Sequence, residues 1–223
     1  MVHKLKLAIL DYDMTLVDSL FDFFNAINSA RAYFGAQPLS LSEFIDAFMK
    51  DTLQEYAVPQ KAVEEDFWRV FRRIYETRYG YPAKGAHQLL YFLKTIGCKN
   101  IIVTGRESPE EKIWNELRRF NLDWGIDEIY TLYTLWKLEG VEEYLFDKSW
   151  LIKYILDKHC VEPCEAVMLG DYWIDALSSM KVGVPFIGVM LYPLRKSILT
   201  KKGVKYVVEN LYDAILVLKE IKC

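Results

Sequence analysis

Along the chain, short runs of branched apolar residues alternate with longer segments whose apolar positions recur at helical spacing. The runs Lys6–Asp11, Asn100–Thr104, Glu128–Thr131, Ala166–Gly170, Pro185–Val189 and Lys205–Val208 predict strands, most of them bounded by Gly, Pro or a charged turn. Helical segments separate most of these runs. The rhythm predicts an α/β fold: a mostly parallel sheet with helices on both faces.

From about Leu16 to Tyr81 no strand pattern is visible, only helical periodicity. Leu20, Phe24, Ile27 and Phe34 fall near one face of a helix opened by Asp18. Ser40 followed by Glu43 has the form of a capping box ahead of Phe44, Ile45, Phe48 and Met49. Pro59 is expected just inside a third helix that carries Phe67, Val70, Phe71, Ile74 and Tyr75. The reading is a small helical domain, residues 16–81, inserted after the first strand of a core formed by 1–15 and 82–223. The core resumes at Pro82 with a helix over Gly85–Leu93 that Gly97 ends.

Composition narrows the function classes. The 28 Lys+Arg residues nearly balance 31 Asp+Glu, for a net charge of -3, which argues against a protein held on nucleic acid by phosphate contacts. No apolar run approaches the ~20 residues that a membrane span needs. The opening apolar stretch is cut short by Asp11, so it predicts a strand and not a signal-peptide core. Four cysteines in 223 residues are too few for a disulfide scaffold, and the expected setting is reducing and cytoplasmic.

Three predicted strands run into polar clusters: Asp11-Tyr12-Asp13-Met14-Thr15, Thr104-Gly105-Arg106, and Gly170-Asp171-Tyr172-Trp173-Ile174-Asp175. Ligands of open parallel sheets bind beyond the carboxyl ends of the strands, so these clusters are expected to converge on one crevice. Ser108-Pro109-Glu110-Glu111 predicts a helix start aimed there, with Ser108 as the cap.

Together with a lysine ahead of a helix and the Pro82-x-x-Gly85-Ala86-x-x-Leu89-Leu90-x-x-Leu93-Lys94 segment, these clusters resemble the motifs of the haloacid dehalogenase (HAD) superfamily. The resemblance spans both ends of the chain and the stretch from about Pro82 to Val189. It implies a Rossmann-like core with a small helical cap and a catalytic Asp11 that attacks phosphorus to form an aspartyl-phosphate. It also implies Asp13 as general acid–base, and this residue separates the phosphatases and phosphomutases from the dehalogenases, which lack it. Mg²⁺ would be held by the Asp11 carboxylate, the Asp13 backbone carbonyl and Asp171, with Asp175 orienting those ligands from behind. Thr104, the Gly105 N–H and a lysine would hold the phosphoryl oxygens. Lys148, just before a helix beginning near Ser149, is preferred over Lys153, inside that helix. The chemistry needs these cations: a carboxylate ~4 Å from a phosphate charge is repelled by about 4 kcal/mol per charge pair at an effective dielectric near 20. The chain departs from the family pattern at Met14, where Gly is usual, and at Tyr172, where Ser is frequent.

Other features have plainer expectations. Arg106 is read as an exposed helix-start residue, with contact to a second substrate anion as the alternative. Arg69, Arg72, Arg73 and Arg78 are read as a solvated basic face, Arg72 pairing with Glu76, with a substrate-facing role for one of them as the alternative. His159, Cys160 and Cys164 lack the second ligand pair of a zinc site and are read as a turn. The aromatic-rich stretch Trp124–Phe146 is read as core packing near the site mouth, and Asp22 and Arg31 as candidates to line the crevice. The implied activity is a Mg²⁺-dependent phosphatase acting on a small phosphorylated metabolite, such as a sugar phosphate or a phosphoglycolate-like acid. A phosphomutase of the same fold and a catalytically silent binding module remain alternatives.

Overall fold

The computed structural model describes residues 5–221; Met1–Lys4, Lys222 and Cys223 lie outside the described residues. Six strands form one parallel sheet: β1 (Leu7–Leu10), β4 (Lys99–Thr104), β5 (Glu128–Thr131), β6 (Ala166–Gly170), β7 (Phe186–Val189) and β8 (Tyr206–Val208). Their order is β5-β4-β1-β6-β7-β8, and every pairing is parallel. The six predicted strands are the six observed, with ends that differ by a residue or so.

Alternation along β1 fixes the two faces. Ala8 and Leu10 pack with Leu89 and Leu93 of α5 (Ala86–Thr95) and with Leu211 and Ala214 of α11 (Leu211–Glu220). Leu7 and Ile9 point the other way, onto Leu151 and Ile155 of α8 (Ser149–His159) and Ala176 of α9 (Trp173–Val182). With apolar layers on both faces, β1 and β6 are buried along their whole length. The chain winds outward from β1 through β4 to β5, then returns to β6 beside β1. The reversal opens a crevice at the carboxyl ends of β4, β1 and β6.

Between β1 and β4 lie α1 (Leu20–Tyr33), α2 (Leu41–Lys50), α3 (Leu53–Ala57) and α4 (Glu64–Ile74), with an apolar cluster of their own that includes Ile27, Phe44, Phe67 and Phe71. The Ser40–Glu43 capping box is present in full. Four local expectations are corrected. Pro59 lies in the connection between α3 and α4; α4 opens at Glu64, where Glu64, Glu65 and Asp66 satisfy the first turn electrostatically. The insert is entered and left through a two-residue antiparallel pair, β2 (Val17–Asp18) with β3 (Tyr81–Pro82), too short to show any alternation in sequence. Ser108 makes no cap bond: Pro109 is extended, and α6 (Glu110–Arg119) begins after it with two acidic residues. Ser19, not Asp18, stands at the start of α1, and its hydroxyl is spent on Asp13 at 2.8 Å.

Candidate active site

The end of β1 delivers Asp11 into the crevice, where it is nearly inaccessible to solvent. Lys148, at the start of α8, reaches it from the side: Nζ lies 2.5 Å from Asp11 Oδ1 and 2.7 Å from Asp175 Oδ1. Its backbone N–H donates to Ser178 Oγ at 3.0 Å, which pins the start of the helix to α9. Lys153 points to solvent from the second turn. Thr15 Oγ1 donates to the other Asp11 oxygen at 3.1 Å. From β6 come Asp171 and, in the first turn of α9, Asp175. Gly170 makes this approach possible, because a Cβ there would stand 2.7 Å from Asp175 Oδ2.

Carboxylate oxygens of Asp11, Asp171 and Asp175 lie within 4.8 Å of one another, the group among the described residues that could hold a metal ion. His159, Cys160 and Cys164 assemble no such cluster among those residues. Burial pushes the Asp11 carboxyl up to about 7, although Lys148 pulls the other way and Asp175 adds to the rise. Burial likewise raises Asp171, with Arg195 opposing and Asp11 assisting. For Lys148, burial works against the charge, but the Asp11 and Asp175 carboxylates prevail and hold the ammonium above the ordinary lysine range. Three buried carboxylates facing one ammonium form a hard-oxygen donor set in want of positive charge, which is the chemistry of a divalent cation site.

The Asp13 carboxylate is engaged by Arg106 through Nε at 2.8 Å and Nη2 at 2.6 Å, and by Ser19. Arg106 is therefore not the exposed residue expected. It is 2% exposed, pairs with Glu116 at 2.7 Å, bonds to Thr77, and lies 4.4 Å from the Tyr75 ring centroid. A guanidinium can be buried so deeply because two carboxylates and a ring replace its hydration. Thr104 is buried beside it, with Oγ1 accepting from the Arg106 N–H at 3.3 Å. Gly105 lines the same cavity, close against Phe146.

That cavity, of about 220 Å³, has the carboxylates on its sheet side and rings from α1, α2 and α4 on the other. Arg72 lines it too, fully buried, paired with Glu107 at 2.9 Å and Glu142 at 2.6 Å; Arg69, Arg73 and Arg78 stay on the surface, where Arg78 takes Glu76. Asp22 and Arg31 do not line it. Asp22 accepts from the N–H groups of Arg78, Tyr79 and Gly80, and Arg31 donates to carbonyls of Gln37, Tyr56 and Ala57. Of the aromatic stretch, Tyr130 is buried, Trp124, Tyr133 and Trp136 are exposed, and Phe146 enters the cavity.

Met14 adopts φ 58°, in the left-handed region that glycine occupies without strain, which gives the departure at this position a physical meaning. Arg195 escaped the sequence reading: it follows β7 and stands 3.4 Å from Asp171 and 3.5 Å from Asp51. The signal available was that β7, too, points its carboxyl end at this crevice.

The family described as haloacid dehalogenase-like hydrolase matches residues 8–189. A protein of Caldanaerobacter subterraneus subsp. tengcongensis, provisionally named pyrophosphatase PpaX, is 25% identical over 97% of this chain and 96% of its own. Among solved structures, a haloacid dehalogenase-like family hydrolase from Streptococcus pneumoniae superimposes with a TM-score of 0.73 at 17% identity, covering 96% of this chain and 98% of that one. A predicted phosphoglycolate phosphatase from Haemophilus somnus gives 0.68 at 18% identity, over 98% and 99%. No helix among the described residues is long and apolar enough to cross a membrane.

Proposed function

The chain belongs to the haloacid dehalogenase-like hydrolase family, and we propose that it is a Mg²⁺-dependent phosphatase that hydrolyses a small phosphomonoester through an aspartyl-phosphate on Asp11. The observation that carries this reading is the buried Asp11 carboxylate at the end of β1, bonded to Lys148 and flanked by Asp171 and Asp175. Asp11, Asp171 and the Asp13 backbone carbonyl would hold the ion, with Asp175 behind them. Bound there, Mg²⁺ supplies positive charge between the nucleophile and an incoming phosphoryl group.

Asp11 attacks phosphorus through one oxygen while the bond from phosphorus to the ester oxygen breaks. Asp13, in its protonated form, gives its proton to that departing oxygen. Lys148 holds the nucleophile's other interactions in place, and Thr104 with the Gly105 N–H receives the phosphoryl oxygens. In the second half, Asp13 takes a proton from water, which attacks phosphorus; inorganic phosphate leaves and the Asp11 carboxylate is restored. For Asp13 to serve in both halves, its pair with Arg106 must open and re-form, and Ser19 keeps the carboxylate near the site meanwhile. The four-helix insert acts as a cap, shielding this chemistry from bulk water.

Incubation of the purified protein with Mg²⁺ and a panel of phosphomonoesters tests the reading. Free phosphate is expected, and is expected to vanish in Asp11→Asn. Release from no ester, or full activity in that variant, counts decisively against it. An isomerised sugar phosphate without free phosphate would instead identify a phosphomutase.

A further inference from the structure

Beyond Asp11, the cavity must accommodate whatever the phosphoryl group leaves behind. Its wall there is made of rings: Phe23, Phe48, Trp68 and Phe71 from the insert, Phe146 and Tyr172 from the core. They meet edge to face, with centroids 5.8 Å apart for Trp68–Phe146 and 6.3 Å for Phe146–Tyr172. Phe146 is held there against its own preference. Its φ is 66°, left-handed for a bulky residue, and the conformation is kept by its N–H on Glu142 Oε1 at 2.7 Å and by the Arg72 guanidinium 5.2 Å from its ring centroid. The same ring abuts Gly105, so one side chain borders both the phosphate loop and the leaving-group wall.

Two of the polar groups that could meet a hydroxyl-rich group are already committed, whereas Trp68 Nε1, on the wall itself, is a donor without a partner. Gln54 donates to the Tyr172 hydroxyl at 2.8 Å, and the Tyr75 hydroxyl is paired with Ser19 at 2.9 Å. Charge is committed as well. Four cations line the cavity against five carboxylates, and each cation is paired: Lys148 with Asp11 and Asp175, Arg106 with Asp13, Arg195 with Asp171 and Asp51, and Arg72 with Glu107 and Glu142 just behind. A second anion on the substrate would meet cations whose charge these carboxylates already balance. The buried Nε atoms of Arg72 and Arg195 lack hydrogen-bond partners, but both are donors, and a polyol needs acceptors for its O–H groups too. A dry cavity of about 150 Å³ takes a benzene molecule, so about 220 Å³ has room for one ring beside a phosphoryl group.

Resting on the phosphatase reading, we propose that the leaving group is an uncharged alcohol carrying one aromatic ring, with Trp68 and Phe146 as the specificity-determining residues. Sugar phosphates, phosphoglycolate-like acids and pyrophosphate are correspondingly poor substrates.

Benzyl phosphate and glycerol 1-phosphate both release a primary alcohol, so the ring is the main difference between them. With Mg²⁺, kcat/KM for benzyl phosphate should exceed that for glycerol 1-phosphate by roughly 10- to 100-fold, the range expected from burying one ring. Trp68→Ala and Phe146→Ala should each narrow the ratio by about tenfold. In parallel, calorimetry on the unaltered protein compares benzylphosphonate with 2,3-dihydroxypropylphosphonate and phosphonoacetate, none of which can be hydrolysed as an ester. Tighter benzylphosphonate binding without turnover of any ester would uphold the ring preference while sinking the phosphatase reading. Equal or reversed preference in rate or binding, no binding of benzylphosphonate at millimolar concentration, or pyrophosphate hydrolysed faster than benzyl phosphate would overturn the proposal. Phosphate release from the polyol ester in that case would leave the phosphatase reading standing.

Discussion

On its sheet side the cavity is charged and assembled from strand ends; on its helical side it is aromatic and assembled by packing between α1, α2 and α4. Asp11, Thr104 and Asp171 arrive where they do because β1, β4 and β6 are hydrogen-bonded neighbours in register, Leu10 opposite both Ile102 and Leu169. Trp68 and Phe71 arrive through a helix that is oriented by its own apolar cluster. A backbone ladder holds positions to within fractions of an ångström, as reacting atoms require. Helix packing tolerates substitution at its surface, so the aromatic side can vary while the charged side stays. In the proposed reading, chemistry and selectivity are thus lodged in different kinds of structure.

Substitutions can pull the two sides apart. The largest effect is expected from Asp11→Asn on the charged side: phosphate release should fall on the order of 10⁴-fold for every ester alike, measured under steady-state conditions. A substrate-selective loss would mean that the division between the sides is wrong. Lys148→Ala should cost about 3 kcal/mol in urea unfolding without Mg²⁺, because it leaves the buried Asp11 and Asp175 carboxylates unpaired.

The charged side should also respond to pH in the absence of divalent ions. Asp11 goes from an ordinary carboxyl near 3.8 when unfolded to about 7 when folded, so the native state binds the extra proton across that interval. Stability therefore falls as pH rises from about 4 to 7, by up to about 1.4 kcal/mol per pH unit. Thermal unfolding of the metal-free protein in this window should show that slope, and Asp11→Asn should reduce it to what Asp171, also raised by burial, contributes. A rising slope in the unaltered protein would contradict the burial argument.

On the helical side, Ser40→Ala removes the capping box of α2 and should cost about 1 kcal/mol. Turnover of a fully bound substrate should stay within about twofold, since Ser40 touches nothing in the cavity. A large drop in kcat would mean that the two sides are mechanically coupled.

Sequence periodicity located all six sheet strands, because a buried parallel strand is a dense apolar run whatever surrounds it. Asp11, Asp171, Thr104 and Lys148 were legible as strand-end or helix-start residues, and the structure brings them to one crevice. Arg106 was misjudged for an identifiable reason. Two residues past the end of β4, nothing local distinguishes a solvated guanidinium from one clamped between Asp13, 93 positions away, and Glu116. Arg72 illustrates the same limit. Glu76 sits at pairing distance along the sequence, but α4 ends at Ile74, and Glu107 and Glu142 take Arg72 instead.

What the sequence determined by itself was whatever depends on near neighbours: strands, helix starts, and the identity of the groups at each strand end. Only the tertiary structure decided which cation meets which carboxylate and which rings wall the cavity, because those partners come from segments far apart along the chain. Desolvation then decides their protonation, and burial is a property of the folded whole.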